Sequence, residues 1–247
     1  MQRIYLPYTN FSKSLVIDEK QIHHQITRVL RARIWDEFIF FNWEDLRDFC
    51  YTITHITKTQ LHFLRKNAQE KNSEICPQLT LYQALPNKFE KIELIVQKCC
   101  EIGYKKIFFF QSDRSQKIHI SENKKLRIQK IAIEASEQCG GSRIPEIEFT
   151  AAPFSFERER IQERVVLWEL FLLCHTESDN SRRLKEISFQ KDQHISIFVW
   201  PEWWFSSREG DLFQKNNFQS INFWPRILRC ETVWAAAGFY ISQSCDT

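Results

Sequence analysis

Residues 194–207 read HISIFVWPEWWFSS. The first seven form a near-continuous apolar run, the pattern of a strand buried on both faces of a sheet. Pro201 and Glu202 then break the run and read as a tight loop, and a helix follows near residues 206–214. A strand, a short loop and a helix in that order form the unit of an α/β sheet. The loop is odd in one respect. Trp200, Trp203 and Trp204 stand where a tight turn calls for the smallest side chain.

Working outward, the same alternation covers the C-terminal two thirds of the chain. LTLYQAL (79–85) and KKIFFF (105–110) read as strands. Between them, residues 88–102 place Ile92, Ile95, Val96, Cys99 and Ile102 on one side of a helix, and Gly103 ends it. A helix over 121–139, the strand IPEIEF (144–149) and a short helix near 154–161 follow. VVLWELFLL (165–173) reads as a further strand, and a short polar helix is expected near 181–186. After the opening stretch come the strand SINF (220–223), the loop WPRILR (224–229) and a last helix through ETVWAAAGFYI (231–241). The sheet is predicted to be mainly parallel. Its ligands should then bind at the loops beyond the carboxyl ends of the strands, which is where the loops after residues 199 and 223 fall.

The N-terminal part differs. RIYL, SLVID, EFIFFN, DFCYTITHIT and LHFLRK are short alternating strands, interrupted by one helical stretch, EKQIHHQITRVLR. That pattern predicts a small β-barrel, and the polar QEKNSEICPQ (69–78) reads as a linker. The expected division is residues 1–72 and 73–247.

A chain of 247 residues, 43% hydrophobic and 26% charged, can bury a sizeable core. The net charge of +3 selects no partner by itself. Its distribution does: Arg3, Lys13, Lys20, Arg28, Arg31 and Arg33 crowd the N-terminal region, and 105–130 is also basic, as an anionic partner would require. The eight cysteines include no C-x-x-C pair, so no zinc site is expected. His23 and His24 are adjacent and point apart on a helix, so they do not read as a metal pair. MQRIYLPYTN lacks the apolar core of a signal peptide, and no apolar run is long enough to span a membrane. The expectation is a cytoplasmic protein with reduced thiols and no membrane partner.

Glycine is scarce and tryptophan abundant. An ordinary share of about 7% would give roughly 17 glycines; the chain has 5, against 8 tryptophans at 35, 43, 168, 200, 203, 204, 224 and 234. Most fall at turns or among small residues. Trp43 follows Asn42 where an Asn-Gly hairpin turn would sit, and Trp35 precedes Asp36 at the start of a strand.

Four stretches resemble the RsmE family of SPOUT-class RNA methyltransferases. HHQITRVLRARIWDE is similar to that family's N-terminal segment, and LTLYQALPNKFEKIELIVQKCCEIG to its first strand and helix. IAIEASEQCGGSRIPEI is similar to its glutamate-glutamine segment. VWPEWWFSS and FWPRILRCETV resemble its two cofactor loops. The departures are systematic: tryptophan stands at family glycines at 35, 200, 203, 204 and 224, and at 43 by the same pattern. Gly141 replaces an arginine that many members carry.

The resemblance implies a PUA- or OB-like barrel joined to a domain with a deep trefoil knot. It also implies S-adenosylmethionine as methyl donor, N3 of a uridine in 16S ribosomal RNA of the assembled small subunit as acceptor, and a homodimer. One wall of the donor pocket would be Val199, Trp200, Pro201, Glu202, Trp203 and Trp204. The other would be Phe223, Trp224, Arg226, Ile227 and Leu228, with Thr232 capping the helix beneath. Arg229 is the candidate to stabilise the uracil anion. Glu202 would orient its loop or accept a proton through water. Arg3, His24, Arg28, Arg31, Arg33, Arg114 and Arg143 are the RNA-contact candidates.

Literal indoles at the loop positions would occlude such a pocket. The systematic exchange is accounted for if these codons are UGA, which some bacteria read as glycine and a common alternative table reads as tryptophan. Two other readings stay open: a SPOUT enzyme for another base or a ribose hydroxyl, and a non-catalytic RNA-binding relative with blocked loops.

Overall fold

The computed structural model describes residues 1–7, 10–42, 46–70, 74–113, 119–150, 169–174, 181–199, 206, 209, 213, 215, 218–223 and 226–245. Two compact units emerge. The first comprises 1–74 together with 136–143, and the second comprises 75–135 and 144–247. A single cut along the sequence does not anticipate the excursion at 136–143, which belongs with the first unit although it ends a helix of the second.

The first unit is a five-stranded sheet of β1 (Gln2–Tyr5), β2 (Ser14–Ile17), β3 (Glu37–Phe41), β4 (Arg47–Ile56) and β5 (Leu61–Glu70), in the order β1-β3-β4-β5-β2. β1 runs parallel to β3, and the other neighbours are antiparallel. Alternation explains its core. Leu15 and Ile17 of β2 and Phe38 and Phe40 of β3 point inward with Tyr51, Ile53, Leu61 and Phe63. Phe40 meets Phe63 edge-on at 4.9 Å. The predicted helix over 19–31 is shorter, and its end is wider than an α-helix. α1 (Lys20–His24) passes into a π-helical turn over Gln25–Val29, in which the Leu30 N–H donates to the Gln25 carbonyl five residues back.

Beyond that turn the chain must reverse into β3, and two residues take left-handed backbone. Arg31 has φ 53°, inside the narrow left-handed well, whereas Trp35 has φ 80°, outside it. Trp35 is 74% exposed, so no packing compensates for the strain. Its N–H donates to the Ile53 carbonyl, and that bond fixes the chain path. The conformation is one that glycine adopts freely and an indole side chain resists.

The second unit is a seven-stranded sheet in the order β10-β12-β9-β11-β6-β7-β8, with every pairing parallel. Its strands are β6 (Gln78–Ala84), β7 (Lys106–Phe110), β8 (Glu146–Thr150), β9 (Glu169–Cys174), β10 (Arg182–Arg183), β11 (His194–Val199) and β12 (Gln219–Asn222). The segment near 181–186, expected as a polar helix, is the two-residue β10 followed by one 3-10 turn, Leu184–Glu186. It is too short to close an α-helical turn of its own and instead supplies an edge to β12. The expected helix near 154–161 lies outside the described residues.

α2 (Phe89–Ile102), α3 (Glu122–Cys139) and α4 (Cys230–Ser244) are helices of this unit, and Glu209, Phe213 and Lys215 are helical as well. α2 buries Ile92, Ile95, Val96, Cys99 and Cys100 and ends at Gly103, whose φ of 95° terminates the helix. One face of the sheet, through Leu79, Leu81, Ile195, Ile197 and Val199, shares a core with α2 and α4. The other face gathers Ala84, Phe110, Leu173, Phe198 and Phe213; there Tyr82 and Phe198 stack at 4.3 Å. Among the described residues, no helix is long and apolar enough to cross a membrane.

Candidate functional site

In the second unit the sheet order reverses between β6 and β11. From β6 the chain moves outward to β7 and β8, and β9, β11 and β12 lie on the opposite side. The crevice beyond the carboxyl ends of β6 and β11 is therefore the ligand position that topology favours. At that edge Val199 is in register with Gln83. Both lie on the face shared with α2 and α4, on which Phe223 and Leu228 also pack.

Gln83 is 1% exposed. Its Nε2 donates to the Ala84 carbonyl at 3.0 Å, which fixes the amide, and Oε1 is left without a hydrogen-bond partner. A buried acceptor without a donor costs about 1–3 kcal/mol. This buried polar group lies at the topological switch, beside the apolar Val199.

β12 exits toward residues 223–229, and β9 alone separates it from β11. Arg226 and Ile227 are exposed and Leu228 is half-buried. Arg229 occupies the N-cap position of α4: its carbonyl accepts from the Thr232 and Val233 N–H groups, and its side chain is exposed. Thr232 is the third residue of α4, so the expectation that it caps that helix is corrected. Trp200, Pro201, Glu202, Trp203, Trp204, Trp224 and Arg114 lie outside the described residues.

α4 begins against α2. Lys91 Nζ is 3.3 Å from Glu231 Oε1, with the two side chains 23% and 20% exposed. Burial works against the charge on Glu231. The Cys230 thiol, the residue's own backbone N–H and Lys91 outweigh it and hold the carboxyl below its ordinary value. Further along α4, Trp234 is 1% exposed and its Nε1 has no partner. Its carbonyl accepts from the Tyr104 hydroxyl at 2.7 Å, and burial pushes that phenol well up.

In the first unit, His24, Arg28, Arg31 and Arg33 are exposed along α1, the π turn and the loop before β3. Arg143 is exposed as well. Arg3 is placed otherwise than expected. Its side chain is 7% exposed and paired with Asp48 at 2.7 Å. Its Nη1 donates to the Gly141 and Ser136 carbonyls, and the guanidinium lies 3.9 Å above the Phe41 ring. A guanidinium with these partners ties 136–143 to the five-stranded sheet and is not presented to RNA.

The second unit is an all-parallel α/β sheet with a buried polar group at its switch point, between the central strands β11 and β6. The model of the RNA methyltransferase domain family matches residues 72–242. A ribosomal RNA small subunit methyltransferase E from Buchnera aphidicola subsp. Acyrthosiphon pisum (strain APS) is 31% identical over 222 residues, covering 87% of this chain and 82% of that protein. Its counterpart from Bacillus subtilis (strain 168) is 25% identical over 244 residues, covering 94% and 92%. The solved structure of a Legionella pneumophila methyltransferase with bound SAM aligns with a TM-score of 0.81 at 25% identity, covering 98% of this chain and 96% of that one. The chain belongs to the RNA methyltransferase family, among the ribosomal RNA small subunit methyltransferases E.

Proposed function

We propose that this chain transfers a methyl group from S-adenosylmethionine to N3 of one uridine in 16S ribosomal RNA, in the assembled small subunit. The observation that carries the reading is the switch point of the sheet. Val199 and the buried Gln83 amide sit side by side there, and β11 and β12, which precede the two predicted cofactor loops in sequence, lie on the same side of β6.

The residues fit the donor. Gln83 Oε1 offers an acceptor to an N–H or O–H of the adenosyl group, and Val199, Phe223 and Leu228 offer apolar walls. Backbone groups of 200–204 and 226–228 would hold adenine and ribose. When bound, the donor supplies an electrophilic sulfonium methyl. The protein must hold the uridine N3 in line with that methyl and favour loss of the N3 proton. Arg229, exposed at the start of α4, would face the uracil oxygens and stabilise the anion. Glu202 would orient its loop or take the proton through water. His24, Arg28, Arg31, Arg33, Arg114 and Arg143 would grip RNA phosphates, which position a substrate more than they specify it.

The finer architecture belongs to the same proposal: a PUA- or OB-like barrel in the first unit, a trefoil knot in the second, and a cytoplasmic homodimer. Phe239 and Tyr240 of α4, 61% and 39% exposed, would lie in the dimer contact.

The native protein, in this account, carries glycine at the eight tryptophan positions. The Trp35 backbone, at φ 80° with an exposed ring, supports this, as does the unpartnered Trp234 Nε1 in the core. UGA at the eight codons is expected; UGG at 200, 203 and 204 would end the idea. The glycine form, substituted Trp→Gly at all eight sites, tests the donor site. Calorimetry should show saturable binding of S-adenosylmethionine, and absence of heat would favour a non-catalytic RNA-binding relative.

A further inference from the structure

We propose that Asp113, Ser206 and Glu209 form a latch that ties the exits of β7 and β11 together beside the donor site and so supports donor binding; the inference rests on the donor site proposed above. Four hydrogen bonds make it. The Ser206 N–H donates to Glu209 Oε2 at 2.9 Å, and the Glu209 N–H donates back to Ser206 Oγ at 3.3 Å. This reciprocal pair is a capping box, and Ser206 to Glu209 has its S-x-x-E spacing.

A capping box needs one carboxylate oxygen. Here the second, Glu209 Oε1, accepts from the Asp113 N–H at 3.1 Å, 96 residues away in sequence. Asp113 answers in kind, its Oδ2 accepting from Ser206 Oγ at 2.7 Å. Glu209 is 4% exposed. Burying a carboxylate costs heavily unless its oxygens are satisfied, and the bridge to Asp113 satisfies what local capping leaves over.

The position gives the latch its purpose. Asp113 follows β7 by three residues, and Ser206 is the first described residue after β11. β6 lies between those two strands in the sheet. The latch therefore joins the exits of β7 and β11 across the carboxyl end of β6, the end that carries Gln83. Asp113, Ser206 and Glu209 are positioning residues: they fix one point on each of the two strand exits and leave contact with the donor to others.

The test uses the glycine form and compares Ser206→Ala, Asp113→Ala, Glu209→Gln and the conservative Ser206→Thr. Loss of one charge-assisted bond should raise the donor Kd by about tenfold in calorimetry. The donor KM should rise in step, and the KM for small ribosomal subunits should stay within about twofold. Ser206→Thr keeps the hydroxyl and should restore the donor Kd. Asp113→Ala combined with Ser206→Ala should weaken binding less than the two effects summed, because the two residues share one bond. Ser206→Ala and Asp113→Ala remove no buried charge and keep the test valid should Glu209→Gln misfold. An unchanged donor Kd in both alanine variants overturns the latch and leaves the donor site standing. Failure of the glycine form itself to bind donor overturns both.

Discussion

Lys91 and Glu231 join the first turn of α2 to the first turn of α4 at 3.3 Å. Arg229 and the 226–228 segment immediately precede α4, so this pair anchors the helix that the second proposed cofactor loop enters. The Glu231 carboxyl is held below its ordinary value: burial opposes its charge, and the Cys230, backbone and Lys91 interactions prevail. A depressed carboxyl stabilises the fold above its unfolded-state value and loses that contribution as pH falls through the lower folded value. Urea unfolding of the parent and of Glu231→Gln should therefore differ at pH 7. The two midpoints should converge in acid, below the ordinary 4.5.

Arg3 should behave as a structural residue. Its pairing with Asp48 is buried on both sides, and removing Arg3 takes the guanidinium away from a buried carboxylate. Arg3→Ala should cost about 3 kcal/mol of stability in denaturant unfolding. Arg28→Ala and Arg33→Ala, at exposed positions, should stay within about 0.5 kcal/mol and weaken RNA binding in a salt-dependent way.

Trp35→Gly should stabilise the chain. Left-handed backbone costs a non-glycine residue about 1–2 kcal/mol, and the extra unfolded-state freedom of glycine returns about 0.5–1 kcal/mol. A net gain of about 0.5–1 kcal/mol in urea unfolding is expected. A loss would mean that the indole makes contacts worth more than the strain.

Gln83→Leu separates stability from binding. Removing the orphaned acceptor should stabilise the donor-free chain by about 1 kcal/mol. The same change in the glycine form should weaken S-adenosylmethionine binding by about tenfold, as calorimetry would report.

Much of the second unit was legible because its strands are short apolar runs: KIFFF and HISIFV have the length and the β-branched and aromatic content of strands buried on both faces. Ile92, Ile95, Val96 and Cys99 followed by Gly103 likewise spell α2 and its end. Gln83 was legible in part, since it follows Leu79 and Leu81 on the inward alternation of LTLYQAL, and that alternation buries a polar group. Its missing partner is a property of packing. Arg3 looks the same in sequence whether it faces solvent or an aspartate 45 positions away, so only the fold revealed its role. The S-x-x-E spacing of Ser206 and Glu209 could have been read as a cap. The bond from Asp113 could not, because it depends on β6 lying between β7 and β11.

The most direct measurement supplies small ribosomal subunits from a deletion strain, the glycine form of the protein and S-adenosylmethionine. The 16S RNA is then digested and methylated nucleotides are mapped by mass spectrometry. The expected result is one N3-methyluridine at a single site, absent without the donor. Methylation at another base or at a ribose hydroxyl, or none at all from a folded protein, would contradict the account.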